Sequence, residues 1–215
     1  METKETLEYI ASIENDPYLG ILEKVNLNQR SPIELPNMTR KHLSRLFRKL
    51  GFKIGAEVGV EQGLYSVCLS NCNPGAKLYC IDAWTAYKGY RDHVSQKKLD
   101  GFFEKTKERL APYNCEIIRA FSMDAVKRFE NGSLDFVYID SNHEFQQLTN
   151  DIAEWSKKVR KGGIVSGHDF KRFKGNYICH VKDVVQAWTY AHGIKPWFVL
   201  REGGKRNPSW FWVRE

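Results

Sequence analysis

Apolar and polar positions change rhythm partway along the chain. Over residues 1–50 the apolar side chains recur at helical spacing. Leu7, Ile10 and Ile13 predict a first helix that ends near Asn15, Asp16 and Pro17. A second apolar stretch, Tyr18 to Val25, precedes two interrupting prolines, Pro32 and Pro36. Leu43, Leu46, Phe47 and Leu50 then share one helical face, with Asn37 or Thr39 as candidate cap and Gly51 as a stop. From residue 52 short β-rich runs take over: Lys53–Val60, Lys77–Ile81, Cys115–Arg119, Phe136–Ile139 and Gly163–Ser166. Helical stretches lie between them, at Tyr65–Asn71, Ser95–Leu110, Met123–Phe129 and Gln146–Val159. Such alternation predicts an α/β domain with a parallel sheet, helices on both faces and right-handed crossovers. One more helix, near Val181–Ala191, precedes two strand candidates, Trp197–Leu200 and Trp210–Val213. The spacing across Glu202–Pro208 fits an antiparallel hairpin at a sheet edge.

Composition narrows this picture only a little. A chain of 215 residues can bury one sizeable core, and no apolar run approaches the ~20 residues that cross a bilayer. Met1 to Glu14 is polar and acidic and reads as no secretory leader, so a cytoplasmic location with no membrane partner is expected. The net charge of +7 admits nucleic acid or an anionic ligand, but the basic residues are spread out. Their densest patch, Lys41 to Lys49, is the polar side of an amphipathic helix first and a phosphate contact second. The five cysteines are odd in number and lack CxxC spacing, which reads as reduced, mostly buried thiols rather than a zinc site.

Three segments carry candidate chemistry. Ala56–Gly63 sits where the first β-rich run meets a helix, and Gly59 and Gly63 there allow a tight turn and close approach of a ligand. Asp82 ends the next strand, where an acid in a doubly wound fold accepts hydrogen bonds from a ribose diol; a helix N-cap is the plainer alternative. In Leu134–Phe170 a buried strand ends at Asp140, His143 follows, and a turn at Gly162 and Gly163 leads into a strand that ends at His168 and Asp169.

Together these residues resemble a class I S-adenosylmethionine-dependent methyltransferase, closest to a small-molecule branch that shares the Asp135–Asp140 run, His143, Asp151, Trp155, Gly162, Gly163 and Gly167–Asp169. The chain is also similar to metal-assisted sugar O-methyltransferases. The resemblance covers about residues 52–170. It implies a doubly wound, mostly parallel seven-stranded sheet of order 3-2-1-4-5-7-6, counted from Lys53–Val60. A Rossmann-like domain would span 51–215 behind a helical extension over 1–50. Glu61 stands where many relatives carry a middle glycine. A dinucleotide fold wants Gly-x-Gly-x-x-Gly, and an acid at Glu61 would repel a diphosphate but not a cationic sulfonium.

The resemblance further implies that Glu57 and Gly59 lie against the methionine part of the cofactor, with Gly63 also among the cofactor-binding residues. Asp82 would hold the ribose, Trp84 wall the adenosine, and Ser122 contact adenine. Asp140 would begin the acceptor side. A methyl sulfonium is already electrophilic, so the protein must align a nucleophile and take its proton. Asp140 and Asp169, ending neighbouring strands, could share Mg2+, with His168 as a further ligand; His143 is then the candidate base. The plainer alternative is that these side chains only orient loops. Two loops, Trp84–His93 and Phe170–Tyr177, would roof an acceptor pocket. Their aromatics with Lys88, Arg91, Lys171, Arg172 and Lys174 suit a sugar, aryl or anionic small molecule. A nucleic-acid methyltransferase and a non-catalytic cofactor-binding protein remain alternatives, although Ile139–His143 lacks the Asp/Asn-Pro-Pro-Tyr element of base-amino methylation. A homodimer through the N-terminal extension also stays open.

Overall fold

The computed structural model describes residues 1–87, 95–175, 178–201 and 207–215. In chain order its elements are α1 (Thr3–Ser12), β1 (Ile33–Leu35), α2 (Arg40–Lys49), β2 (Ile54–Val58), α3 (Leu64–Cys72) and β3 (Lys77–Asp82). There follow α4 (Gln96–Leu110), β4 (Cys115–Arg119), α5 (Ser122–Ala125) running into a 3-10 turn (Val126–Arg128), β5 (Leu134–Ile139) and α6 (Phe145–Lys158). The last are β6 (Val159–Gly167), β7 (Phe173–Lys174), β8 (Ile178–Cys179), α7 (Val181–Ala191), β9 (Trp197–Leu200) and β10 (Ser209–Val213).

Eight strands form the main sheet, in the order β1-β9-β10-β6-β5-β2-β3-β4. The seven from β2 onward keep the expected order 3-2-1-4-5-7-6. The eighth is a correction: Ile33–Leu35 lies in the segment expected to be helical, yet pairs in parallel with β9. The expected hairpin of β9 and β10 is antiparallel but is not the edge. β10 is bonded on both sides, to β6 and β9, and β1 covers β9. A covered edge removes a row of unpaired backbone groups that would otherwise invite aggregation. β7 and β8 form a separate small hairpin that the sequence did not suggest. Residues 202–206, within the expected connection of the β9–β10 hairpin, lie outside the described residues.

Side chains alternate across the sheet and split the core in two. Phe136, Tyr138, Ile164, Phe198 and Phe211 point to the side covered by α1, α2, α3 and α4. Val137, Ile139, Val165, Val199, Trp210 and Trp212 point to the side covered by α5, α6 and α7. The helix over Arg40–Lys49 buries the expected face: Leu43, Leu46 and Phe47 are fully buried, Thr39 caps it, and Gly51 follows it with φ +72°. Phe47 stacks on Phe136 with centroids 4.2 Å apart, which fixes α2 directly against β5.

Candidate active site

The Gly-containing loop leaves β2 at the carboxyl edge of the sheet. Gly59 has φ +93°, and a side chain there would put its Cβ 2.1 Å from the carbonyl oxygen of Asp140. Only glycine allows the two loops to lie this close. Gly63, with φ +72°, starts α3. Between them Glu61, at φ +51°, takes the left-handed backbone conformation that glycine adopts most easily. Its peptide is held at both ends. The Glu61 N–H donates to Asp82 Oδ2 (2.9 Å), while its carbonyl accepts from Trp84 Nε1 (2.7 Å) and Thr106 Oγ1 (3.0 Å). Asp82 Oδ1 accepts the Trp84 N–H at 2.9 Å. A carboxylate offers about four lone-pair sites, so Asp82 keeps acceptor capacity for hydroxyls. Burial pushes its pKa up, partly offset by these backbone donors.

Trp84 lies in the core. It is 1% exposed, with φ +43°, and packs against Phe103. The indole was read as an adenosine wall; in the structure it is buried and its Nε1–H holds the Glu61 carbonyl. Glu57 is also deeper than a direct contact would be. It is 2% exposed and accepts a short hydrogen bond from Ser66 on α3. Burial raises its pKa to about 8, despite the Ser66 bond and Arg40.

Beyond β4, the Ser122 hydroxyl bonds to Asp151 on α6, whose other oxygen accepts from Ser141 in the loop after β5. Trp155, one turn along α6, donates to Ser122 Oγ at 2.8 Å. Asp151 and Trp155 therefore tie two cleft loops to one helix face. The Ser122 side chain is engaged in this tie.

Asp140, His143, His168 and Asp169 converge where β5 and β6 end. The β5–β6 ladder continues through His168 N–H to the Ile139 carbonyl (3.0 Å), and Asp140 N–H bonds back to Val58 on β2 (2.7 Å). His143 Nε2 lies 3.5 Å from Asp140 Oδ1 and 3.4 Å from Asp169 Oδ2. His168 Nδ1 lies 3.6 Å from Asp140 Oδ2 and 3.4 Å from Asp169 Oδ2. Burial alone would raise the Asp140 pKa, but His143 and His168 outweigh it and hold the carboxyl below the usual range. The same balance lowers Asp169. Burial opposes the charge on His168, yet Asp140 and Asp169 carry it up to about 9. Asp140, His143 and Asp169 each offer one ligand atom within 4.8 Å of the others, which suits a single cation. That set has His143 where the sequence reading had His168.

Two cations flank the acids. Lys171 Nζ is 3.2 Å from Asp169 Oδ1, and Arg40 on α2 is 3.9 Å from Asp140 Oδ2. Arg40, Ser66 and Ser141 were not singled out in the sequence, and Asp151, part of the motif, was given no role. Asp151 and Trp155 had a signal, four residues apart on one helix. Arg40 had none among the other basic residues of its helix.

Above the cluster, Tyr87 meets Phe121 edge-on at 5.7 Å and its hydroxyl accepts from Asn142 Nδ2 at 2.9 Å. Phe121, Phe145 and Phe173 are among the exposed aromatics. Of the cations assigned to the acceptor loops, Arg172 is paired instead with Asp183, and Lys171 with Asp169. Lys174 is exposed. Lys88, Arg91, His93 and Tyr177 lie outside the described residues. Among the described residues no helix is long and apolar enough to cross a membrane.

Comparison with known proteins follows this geometry. No curated protein sequence matches the chain. Its fold is similar to that of an O-methyltransferase from Bacillus cereus in complex with SAH (TM-score 0.60, 14% identity, 98% of this chain and 90% of that one). It is also similar to an O-methyltransferase from Streptomyces achromogenes, involved in tomaymycin synthesis and in complex with SAM (TM-score 0.58, 15% identity, 100% of both chains). A family model described as a methyltransferase domain matches residues 56–170, the span from the Gly59 loop to the residue after Asp169. The chain therefore belongs to the methyltransferase domain family, and it is a methyltransferase of the class I, Rossmann-like fold.

Proposed function

We propose that the protein transfers the methyl group of S-adenosylmethionine to a hydroxyl of a small-molecule acceptor. The observation that carries this reading is the convergence of Asp140, His143, His168 and Asp169 at two adjacent strand ends, beside a Gly59 loop pressed onto Asp140. Such an edge is the ligand-binding side of an open α/β sheet. The bound donor supplies a methyl already activated by the sulfonium. The adenosine end suits Asp82, whose oxygens keep lone pairs for a diol, and the start of α5 at Ser122. Asp140, kept ionised, faces the amino end of the methionine part. Acceptor and methyl meet on the His143 side, under Tyr87, Phe121 and Phe145. Exposed aromatic rings there favour a sugar or aryl acceptor.

His143 takes the acceptor proton in this reading. Asp140 and Asp169 hold its ring from one edge and stabilise the imidazolium that forms. The same oxygens, with His143 or His168, fit one hard divalent cation such as Mg2+, and a bound cation would lower the pKa of a coordinated hydroxyl. A second, metal-free reading draws on Arg40 and Lys171, which already place positive charge beside both acids. Calorimetry with S-adenosylmethionine and its demethylated product tests the donor, and an acceptor screen with chelator or Mg2+ separates the two readings. A chelator that abolishes turnover, with Mg2+ restoring it, selects the cation. Unchanged turnover selects the metal-free site. Full rate in His143→Gln removes His143 as base, and failure to retain either adenosyl ligand removes the function.

A further inference from the structure

Arg40 is the only group of the N-terminal 50 residues with an ion pair to the strand-end acids among the described residues. Its setting is built. Arg40 occupies the first turn of α2, which Phe47 locks onto β5. Its guanidinium lies over the Tyr65 ring, 4.9 Å from the centroid, and Tyr65 in turn packs on the buried Tyr138 with centroids 4.4 Å apart. The Tyr65 hydroxyl donates to the Arg40 carbonyl (2.8 Å) and accepts from Ser44 (3.1 Å). Even so, 42% of the Arg40 side chain remains exposed. The side chain is thus held in position and still has open donors.

These neighbours fix which end of the cleft Arg40 serves. Tyr65 lies in the first turn of α3, just past Gly63, and next to Ser66, which holds Glu57. Tyr138 is on β5, ahead of Asp140. All belong to the β2–α3–β5 side, not to the α6 and β7–β8 side where the exposed Phe145 and Phe173 stand. From these positions we infer that Arg40 is the recognition residue for the α-carboxylate of the methyl donor, a role that rests on the donor proposed above. The methionine end of that donor is a zwitterion. Asp140 and Arg40, 3.9 Å apart, form the matching pair, acid for the ammonium and guanidinium for the carboxylate. Guanidinium binds carboxylate through two parallel N–H donors, which also sets the orientation of the chain leading to the sulfonium.

The test compares two ligands on the whole protein by calorimetry: S-adenosylmethionine and its decarboxylated analogue, which keeps the adenosine, the sulfonium and the ammonium. The wild type is expected to favour the carboxylate-bearing ligand by roughly 10- to 100-fold, the range of a charge-assisted hydrogen bond. Arg40→Met should lose that preference by weakening only the carboxylate-bearing ligand, and Arg40→Lys should restore part of it. Equal affinity of the wild type for both ligands overturns the inference without any variant. So does an equal loss of both in Arg40→Met and Arg40→Lys, which marks a purely structural side chain, or a rise confined to the acceptor KM. Retention of neither ligand by the wild type overturns the donor reading itself, and this inference with it.

Discussion

Glu57→Gln should raise stability at neutral and alkaline pH while leaving it nearly unchanged in acid. Glu57 is 2% exposed, and burial lifts its pKa from 4.5 to about 8. A raised native pKa means that the folded protein binds this proton more tightly than the unfolded chain does. The contribution is therefore fully present below pH 4.5 and is lost as pH rises through about 8. Each pH unit inside that window costs about 1.4 kcal/mol, so the wild type gives up about 3 kcal/mol between pH 4.5 and 7, and about 5 kcal/mol by pH 8 and above. Glutamine keeps an oxygen to accept from Ser66 and carries no charge to desolvate. Urea unfolding of both proteins at half-unit steps from pH 4.5 to 8.5 isolates the effect. Other titrating groups, such as Asp82 and Asp151, contribute to both curves and cancel in the difference. The difference should start flat, climb by about 1.4 kcal/mol per unit, and level off near pH 8. Parallel curves across the whole range would refute the reasoning, because they would mean that Glu57 is ionised in the fold at no cost.

Three further outcomes follow from particular contacts. Gly59→Ala places a Cβ 2.1 Å from the Asp140 carbonyl oxygen and should abolish retention of S-adenosylmethionine, read by calorimetry, or prevent folding. A variant that folds and binds normally contradicts the close approach of the two loops. Asp151→Ala frees Ser122 and Ser141 together, and should lower kcat/KM about tenfold with any accepted substrate, a loss of about 1.4 kcal/mol in transition-state stabilisation. Thr6→Val removes the buried hydroxyl that donates to Gly162 O at 2.8 Å, and should cost about 1–2 kcal/mol in denaturant melts with kcat unaffected.

Periodicity read the central strands and helices well because each buries one defined face. Phe136 and Tyr138 against Val137 and Ile139 is a two-residue alternation that only a strand between two helical layers explains. Ile33–Leu35 escaped for a physical reason. Three residues between two prolines are too few to show a period, and the strand exists only because β9, far along the chain, supplies its partners. At the site, residues at strand ends were legible, since Asp82, Asp140, His168 and Asp169 each follow a buried run. Trp84 was expected beside the adenosine, and neither its 1% exposure nor its positive φ is announced by the neighbouring residues.

Arg40 shows the limit most sharply. Lys41, Arg45, Arg48 and Lys49 share its helix, and the basic patch read from the sequence, Lys41 to Lys49, begins one residue after Arg40. What separates Arg40 is a rotation. Burying Leu43, Leu46 and Phe47 against the sheet points the first residue of the helix along the strand ends, toward Asp140. Arg45 is directed instead to the carbonyl of Tyr18. The apolar stripe thus sets which cation reaches the acids. The N-terminal segment supplies an outer strand, a covering helix and one charged group of the cleft at once. Its removal should therefore disturb donor binding as well as stability, because α2 both packs the core and carries Arg40.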